Sequence, residues 1–365
     1  MIRIDEIYSS VFEPWLKLNR PGLRMVWFDP FGTTGIENLQ TSNKLYTNDH
    51  NYILFFDQEP IDIDRHEKVF SHVKEHYVSF APEKSIIVTS EFNSKNVNNI
   101  CNIFNWQSRY YFFHGWAALD WFRGYNHSYL MTQPADRKIK QTFLCPMRII
   151  GGQRSHRVIM MSLLVRYGLH HNHISFPRHC PVENKDWGEI AYSLKSIYPD
   201  IAEPFHAQKV ENLFPKKFKN EHNHPMTSYT LDLFEEATES LCYLVSETIA
   251  DGERCHLTEK TFKPICLGMP FLILSSQHSL KYLKTYGFRT FDKFWDESYD
   301  EEPNLILRAE KIAKVLHSLD RLTNKQKNEL WQELVPTVIH NFNHFYNGAF
   351  EKTLKEELDL LLASI

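Results

Sequence analysis

The residues best suited to chemistry lie between Ser246 and Phe291. Glu247 and Thr248 close an apolar run, Leu241–Val245. A polar loop with Asp251, Gly252, Glu253 and His256 follows, and Thr258, Glu259 and Lys260 open a helix. Thr258 can cap that helix through its hydroxyl. A lysine in a first turn opposes the helix dipole, which favours anions there, so Lys260 points to an anion held nearby. Arg157, with Arg154 just before it, meets the same dipole penalty at the start of another expected helix. Carboxylates suited to proton transfer follow apolar runs in the N-terminal half: Asp57 and Glu59 after Tyr52–Phe56, and Glu91 after Ile86–Thr89. Each group also has an ordinary reading. Lys260 can be a solvated partner of Glu259, Arg157 a surface arginine, and Glu259 an acid favoured by the dipole. Glu247 can cap a loop, His256 can be a polar loop residue, and Glu59 a carboxylate in water.

These residues need a scaffold that brings strand ends and helix starts together. Leu241–Val245, the Thr258-capped helix and Phe271–Leu274 read as a strand–loop–helix–strand unit, with Gly268 and Pro270 marking the helix stop. Upstream strands are expected at Gly22–Phe28, Tyr52–Phe56, Ile86–Thr89 and Tyr110–Phe113, then at Thr142–Cys145 and Ile174–Phe176. Helices are expected at Ile63–Tyr77, Asn93–Phe104, Trp116–Phe122 and Val158–Tyr167. A short amphipathic piece, Ile7–Leu18, breaks at Pro14, and Asp29–Gly32 reads as a turn. Strands alternating with helices give an α/β fold with doubly wound parallel sheets, whose ligands bind at the carboxyl ends of the strands. The polar stretch 126–140 reads as a linker. It divides an acceptor-side domain, 1–135, from a donor-binding domain, 136–335. Residues 336–365 form C-terminal helices, set off by Pro336 and long enough to cross back to the first domain. Pro264 should confine the Thr258-capped helix to a few turns.

The central stretch resembles the donor site of GT-B glycosyltransferases, and most closely that of the α1,3-fucosyltransferase family. That motif runs roughly Glu-Asn-Ser, a gap, Tyr-x-Thr-Glu-Lys, then Gly-x-x-Pro. The matching residues are Glu247-Thr248, His256-x-Thr258-Glu259-Lys260 and Gly268-Met269-Pro270. Thr248 stands where Asn is usual, and His256 where Tyr is usual. The likeness covers the C-terminal half well and the N-terminal half weakly. It implies two Rossmann-like domains facing a cleft and an inverting sugar transfer from a nucleotide-sugar donor. GDP-fucose is the implied donor, with a GDP- or UDP-sugar left open by the two departures. The acceptor would be a glycan or other hydroxyl. It implies no tightly bound cofactor and a metal that is not required or only stimulatory. Lys260 and Arg157, with Arg154 as second candidate, would meet the diphosphate. Glu259 would hold the ribose, and Glu247 the sugar or base. Thr248, His256 and Thr258 would line the donor site. Phe56-Asp57-Gln58-Glu59-Pro60 looks like the family's Glu-Ser-Pro element, which makes Glu59 the base, with Asp57 and Glu91 behind it.

Bulk properties narrow the alternatives. A net charge of −4 gives no global drive toward nucleic acid or anionic membrane. No apolar run approaches a membrane span and the first residues do not read as a signal peptide, so a soluble, cytoplasmic chain of bacterial or viral type is expected. Cys101, Cys145, Cys180, Cys242, Cys255 and Cys266 lack close pairing and read as buried free thiols. There is no Walker loop or G-x-G-x-x-G. His170, His171 and His173, like His222 and His224, lack further ligands at zinc spacing. Asp62-Ile63-Asp64 reads as a loop or helix cap, and Trp116, Trp121 and Phe122 as core. A viral DNA-base glucosyltransferase acting on hydroxymethylated bases is the alternative enzyme, and would gather Lys68, Lys74, Lys138 and Lys140 along a basic groove. A non-catalytic carbohydrate-binding or virion protein of the same fold is the alternative outside catalysis.

Overall fold

A computed structural model describes residues 2–29, 33–41, 51–77, 85–123, 136–210, 212, 214–216, 218, 231 and 233–365. Residues 30–32 of the expected turn, linker residues 126–135 and the pair His222 and His224 lie outside them. The chain folds into two compact units. Unit 1 holds Met1–Asp120, Glu253–His256 and Glu351–Ile365; unit 2 holds Trp121–Gly252 and Leu257–Phe350.

Unit 1 opens with a 3-10 turn, Ile4–Glu6, followed by a π-helical stretch, Tyr8–Phe12, that runs on into α1 (Glu13–Asn19). The expected break at Pro14 is absent. Pro14 is the second residue of α1, and the helical run Tyr8–Asn19 passes through it, with Phe12 and Leu16 buried on either side. Strands β1 (Leu23–Phe28), β2 (Leu39–Thr41), β3 (Asn51–Phe56), β4 (Ile86–Thr89) and β5 (Gln107–Tyr110) form one sheet in the order β2-β1-β3-β4-β5. All pairings are parallel except that of β2, a short antiparallel edge strand that sequence patterning did not reveal. Phe56 lies opposite Thr89, and Thr89 opposite Tyr110, so Asp57 and Ser90 emerge at one edge. Helices α2 (Ile63–Tyr77) and α3 (Lys95–Phe104) bury Val69, Phe70, Val73, Val97 and Ile100 against Val26, Leu54 and Ile87. The expected strand Tyr110–Phe113 is displaced. β5 is an edge strand of mostly half-buried residues, and the apolar Tyr111–Phe113 follow it into the core. Their hydrophobicity marks burial rather than strand pairing. α4 (Phe113–Phe122) comes next.

Unit 2 carries a wholly parallel sheet, β7-β6-β8-β9, built from β6 (Gln141–Pro146), β7 (His173–Ser175), β8 (Ser240–Ser246) and β9 (Phe271–Leu274). Every residue of β8 is buried, as a parallel strand covered on both faces requires. In order, its helices are α5 (His156–Arg166), α6 (Trp187–Ser193), α7 (Glu203–Gln208), α8 (Phe234–Glu239), α9 (Glu259–Cys266), α10 (Ser279–Thr285), α11 (Leu305–Asp320) and α12 (Asn324–Tyr346). α13 (Ala349–Ser364) ends the chain. The expected separation at Pro336 does not occur: α12 runs through it for 23 residues. Trp331, Leu334, Val338, Phe342 and Phe345 are buried on both sides of the proline, so one continuous apolar face holds the helix across the lost backbone bond.

α9 is only eight residues long and contains Pro264. Gly268 ends it with φ +61°, a left-handed conformation that suits glycine. Arg137 then closes the helix. Its Nη1 donates to the Gly268 carbonyl and its Nη2 to that of Leu267, both at 2.8 Å. The guanidinium lies 5.1 Å from the Trp331 ring centroid. Arg137, expected in a polar linker, is therefore a buried helix cap. Arg137→Ala should destabilise the protein by roughly 2–4 kcal/mol, because it strands two buried carbonyls and removes the stack on Trp331. Arg137→Lys should recover little of this, since an ammonium lacks the planar fork. Urea unfolding midpoints measure both.

Candidate active site

Unit 2 gathers five of the expected residues at the carboxyl end of β8 and the start of α9. Glu247 is completely buried. Its Oε1 accepts the Thr258 N–H at 3.0 Å and the Thr261 hydroxyl at 2.6 Å. Its Oε2 accepts the Thr248 N–H at 3.1 Å and the Thr258 hydroxyl at 2.6 Å. Thr258 caps α9 by accepting the Lys260 N–H. The Lys260 ammonium donates to Glu259 Oε1 at 2.9 Å, Thr258 Oγ at 3.1 Å and Thr248 Oγ at 3.3 Å. Its side chain is 28% exposed, against 4% for that of Glu259. The arrangement is a partly exposed cation at a helix N-terminus, where the dipole also favours negative charge.

Arg157 lies behind this cluster and is 4% exposed. Its Nη1 donates to the Ile149 carbonyl at 2.8 Å; its Nη2 donates to those of Ser246 at 2.7 Å and Glu247 at 3.2 Å. Burial, with Arg154 beside it, lowers its pKa to about 10, so it stays cationic at neutral pH. Arg157 thus ties the loop after β6 to the end of β8. His156 makes the same link, with Nε2 3.1 Å from the Glu247 carbonyl and Nδ1 3.2 Å from that of Gln153. Burial and the Arg157 charge pull its imidazole down to about 3, so it is neutral and has one N–H for two carbonyls. Arg154 is half-buried, in the single turn Gly152–Arg154.

Unit 1 holds the strand-end carboxylates in three different settings. Glu59 is half-buried. Glu91 is buried and accepts the Ile61 N–H, the Ser94 hydroxyl and, at 3.4 Å, Arg254 Nη1. Burial still holds its carboxyl above the ordinary value, outweighing the attraction of Arg254. Asp57 is 2% exposed and has no cation partner among the described residues. The Tyr8 phenol donates to its Oδ2, and the Ser90 hydroxyl to its backbone carbonyl at 2.9 Å. Its buried Oδ1 has no hydrogen-bond partner among the described residues. Burial pushes its carboxyl up to about 7. His256 groups with unit 1, its ring edge-on to that of His114 with centroids 5.0 Å apart.

The structure therefore brings Glu247, Thr248, Thr258, Glu259 and Lys260 into one hydrogen-bonded cluster, with Arg157 touching its backbone. Sequence reasoning missed Thr261, His156 and Tyr8. Thr261 stands three residues after Thr258, a spacing that shares a helix face and could have been read. Tyr8 left no signal, 49 residues from its partner. Of the lysines that would mark a nucleic-acid groove, Lys140 pairs with Glu239 and Lys74 lies 5.5 Å from the Phe104 ring centroid.

No known protein-family pattern and no curated protein matches the chain. Among solved structures, it is similar to "Trehalose-6-phosphate synthase. OtsA", at 11% identity and a TM-score of 0.36, covering 84% of this chain and 67% of that one. It is also similar to "Trehalose-6-phosphate from E. coli bound with UDP-2-fluoro glucose", at 12% identity and a TM-score of 0.35, covering 84% of this chain and 68% of that one. At that level of likeness neither structure bears on what this chain does.

Asp57 gives a pH prediction. Its folded pKa of about 7 lies above the ordinary 3.8, so the native state keeps a proton that the unfolded chain releases. Stability should therefore fall as pH rises from about 4 to about 7 and level off above, by an amount on the order of 4 kcal/mol. Asp57→Asn should remove that part of the slope and be the more stable protein at pH 7.5. Chemical denaturation of both across pH 4–8 reads the difference.

Proposed function

We propose that the chain is a GT-B glycosyltransferase that moves a sugar from a nucleotide-sugar donor to a hydroxyl acceptor, with inversion. The observation that carries this reading is the Lys260 ammonium, partly exposed at the capped start of α9 and backed by the buried cluster at the end of β8. The acceptor oxygen attacks the anomeric carbon, the bond from that carbon to the diphosphate breaks, and the acceptor proton passes to a carboxylate. The nucleoside diphosphate leaves with the bonding pair. Lys260 and the positive end of the α9 dipole meet the charge that builds on the diphosphate. Arg154 is a second cation for it, and Arg157 acts by holding the Ser246 and Glu247 carbonyls in place.

Glu259 accepts from ribose hydroxyls once the diphosphate draws Lys260 away from it. Glu59 remains the base assignment. Asp57 is its strongest rival, because burial brings its pKa near 7, where a general base works well at neutral pH. The sequence motif favours GDP-fucose as donor, and its departures at Thr248 and His256 leave another base or sugar open.

GDP or UDP should raise the melting temperature of the wild-type protein in a concentration-dependent way. Lys260→Ala should weaken that binding by about thirtyfold, the order expected on losing a charge-assisted contact worth about 2 kcal/mol. Its unliganded melting temperature should stay close to wild type, because the ammonium is partly exposed. Equal nucleotide affinity in the wild type and the variant would remove the assignment.

A further inference from the structure

We infer that Glu247 is a positioning residue that sets the place and polarity of the Lys260 site from beneath, and does not itself touch the donor. This rests on the reading of Lys260 as the diphosphate-binding cation. A carboxylate offers about four lone-pair sites. All four are taken, each oxygen receiving one backbone N–H and one threonine hydroxyl. With the side chain fully buried as well, no acceptor remains for a sugar or ribose hydroxyl.

The four donors belong to Thr248, Thr258 and Thr261, and the first two are the residues whose hydroxyls receive the Lys260 ammonium. A hydroxyl has a single proton. Because the Thr258 proton goes to Glu247 Oε2 at 2.6 Å, its lone pairs must face the Lys260 N–H and Nζ. The buried carboxylate thereby makes Thr258 an acceptor toward the lysine. It also fixes the separation of Thr248 from Thr258, across the ten-residue step that carries the loop. Behind it, Arg157 and His156 hold the Glu247 carbonyl, so the backbone from which the carboxylate projects is anchored too.

Glutamine at this position keeps the volume but fails electronically. Whichever way its amide turns, the NH2 group faces one backbone N–H and one hydroxyl. Glu247→Gln should therefore loosen Thr248 and Thr258–Thr261 and displace Lys260. Inorganic pyrophosphate, which has neither ribose nor base, is the discriminating probe. Glu247→Gln should weaken pyrophosphate and GDP or UDP by the same factor, about tenfold. The loss should vanish when measured in a Lys260→Ala background. Thr261→Val removes one of the four bonds, is the milder variant should Glu247→Gln not fold, and should weaken pyrophosphate about threefold.

A Glu247→Gln protein that binds pyrophosphate normally but has lost nucleotide affinity would overturn the inference, since that pattern marks a direct sugar or ribose contact. Unchanged affinity for both ligands would overturn it as well, as would unchanged pyrophosphate binding by Thr261→Val. Hydrogen exchange provides a ligand-free measure: amides of Thr248 and Thr258 should lose protection in Glu247→Gln or Thr261→Val while those of β6 keep it. Unaltered exchange at those amides in both variants would sink the inference whatever the ligand results. If exchange rises as expected but the wild type binds neither pyrophosphate nor nucleotide, the positioning role stands and the glycosyltransferase reading falls.

Discussion

A buried carboxylate with every lone pair engaged is the constraint from which the rest of unit 2 can be understood. Glu247 follows a strand whose residues are all buried, so its backbone position is set by sheet pairing with β6 and β9. Its charge is out of water, which is tolerable only where donors surround it. Those donors come from the loop after β8 and from the short helix that follows it. α9 is eight residues long, contains a proline, and would be marginal as an isolated helix. Burial holds it, with Phe262 packed on Phe288, Phe345 and Phe350, and both ends are tied: Thr258 and Glu247 at the start, Gly268 and Arg137 at the finish. Short, doubly anchored helices of this kind hold an N-terminus still, which an anion site needs.

Unit 1 treats its buried acids differently. Glu91 has a guanidinium, a hydroxyl and a backbone N–H, so it is a structural joint between the end of β4 and Arg254. Asp57 has a phenol on one oxygen and, among the described residues, no hydrogen-bond partner on the other. Two carboxylates at neighbouring strand ends thus sit in environments that differ mainly in whether a cation is present. Burial raises both carboxyls, and at Glu91 the Arg254 charge opposes the rise.

Much of the architecture was legible because parallel sheets announce themselves. β4 and β9 fall on the residues expected, and β3, β6 and β8 within a residue or so at each end, since each is a continuous apolar, buried run. The half-buried edge strands of unit 1 read poorly: β2 is three half-buried residues, and β5 lies before the apolar run expected to be the strand. Prolines misled twice, unlike Pro264: the helical run Tyr8–Asn19 continues through Pro14, and Pro336 is overridden by a long buried face. In the site, the Thr258-Glu259-Lys260 cluster was visible as a motif. The internal role of Arg157 was not, because a guanidinium at a helix start looks the same in sequence whether it faces an anion or three carbonyls.

The six cysteines are all unbridged, and five are buried. Burial pushes the Cys145 thiol up to about 12 and raises those of Cys242 and Cys266 as well. These three lie in β6, β8 and α9, the elements that frame the Lys260 cluster. They are shielded twice over, by packing and by protonation, since only the thiolate attacks an alkylating agent. Their reactivity is therefore a built-in clock for unit 2: alkylation there can proceed only as fast as the sheet opens, without any label having to be engineered into the chain.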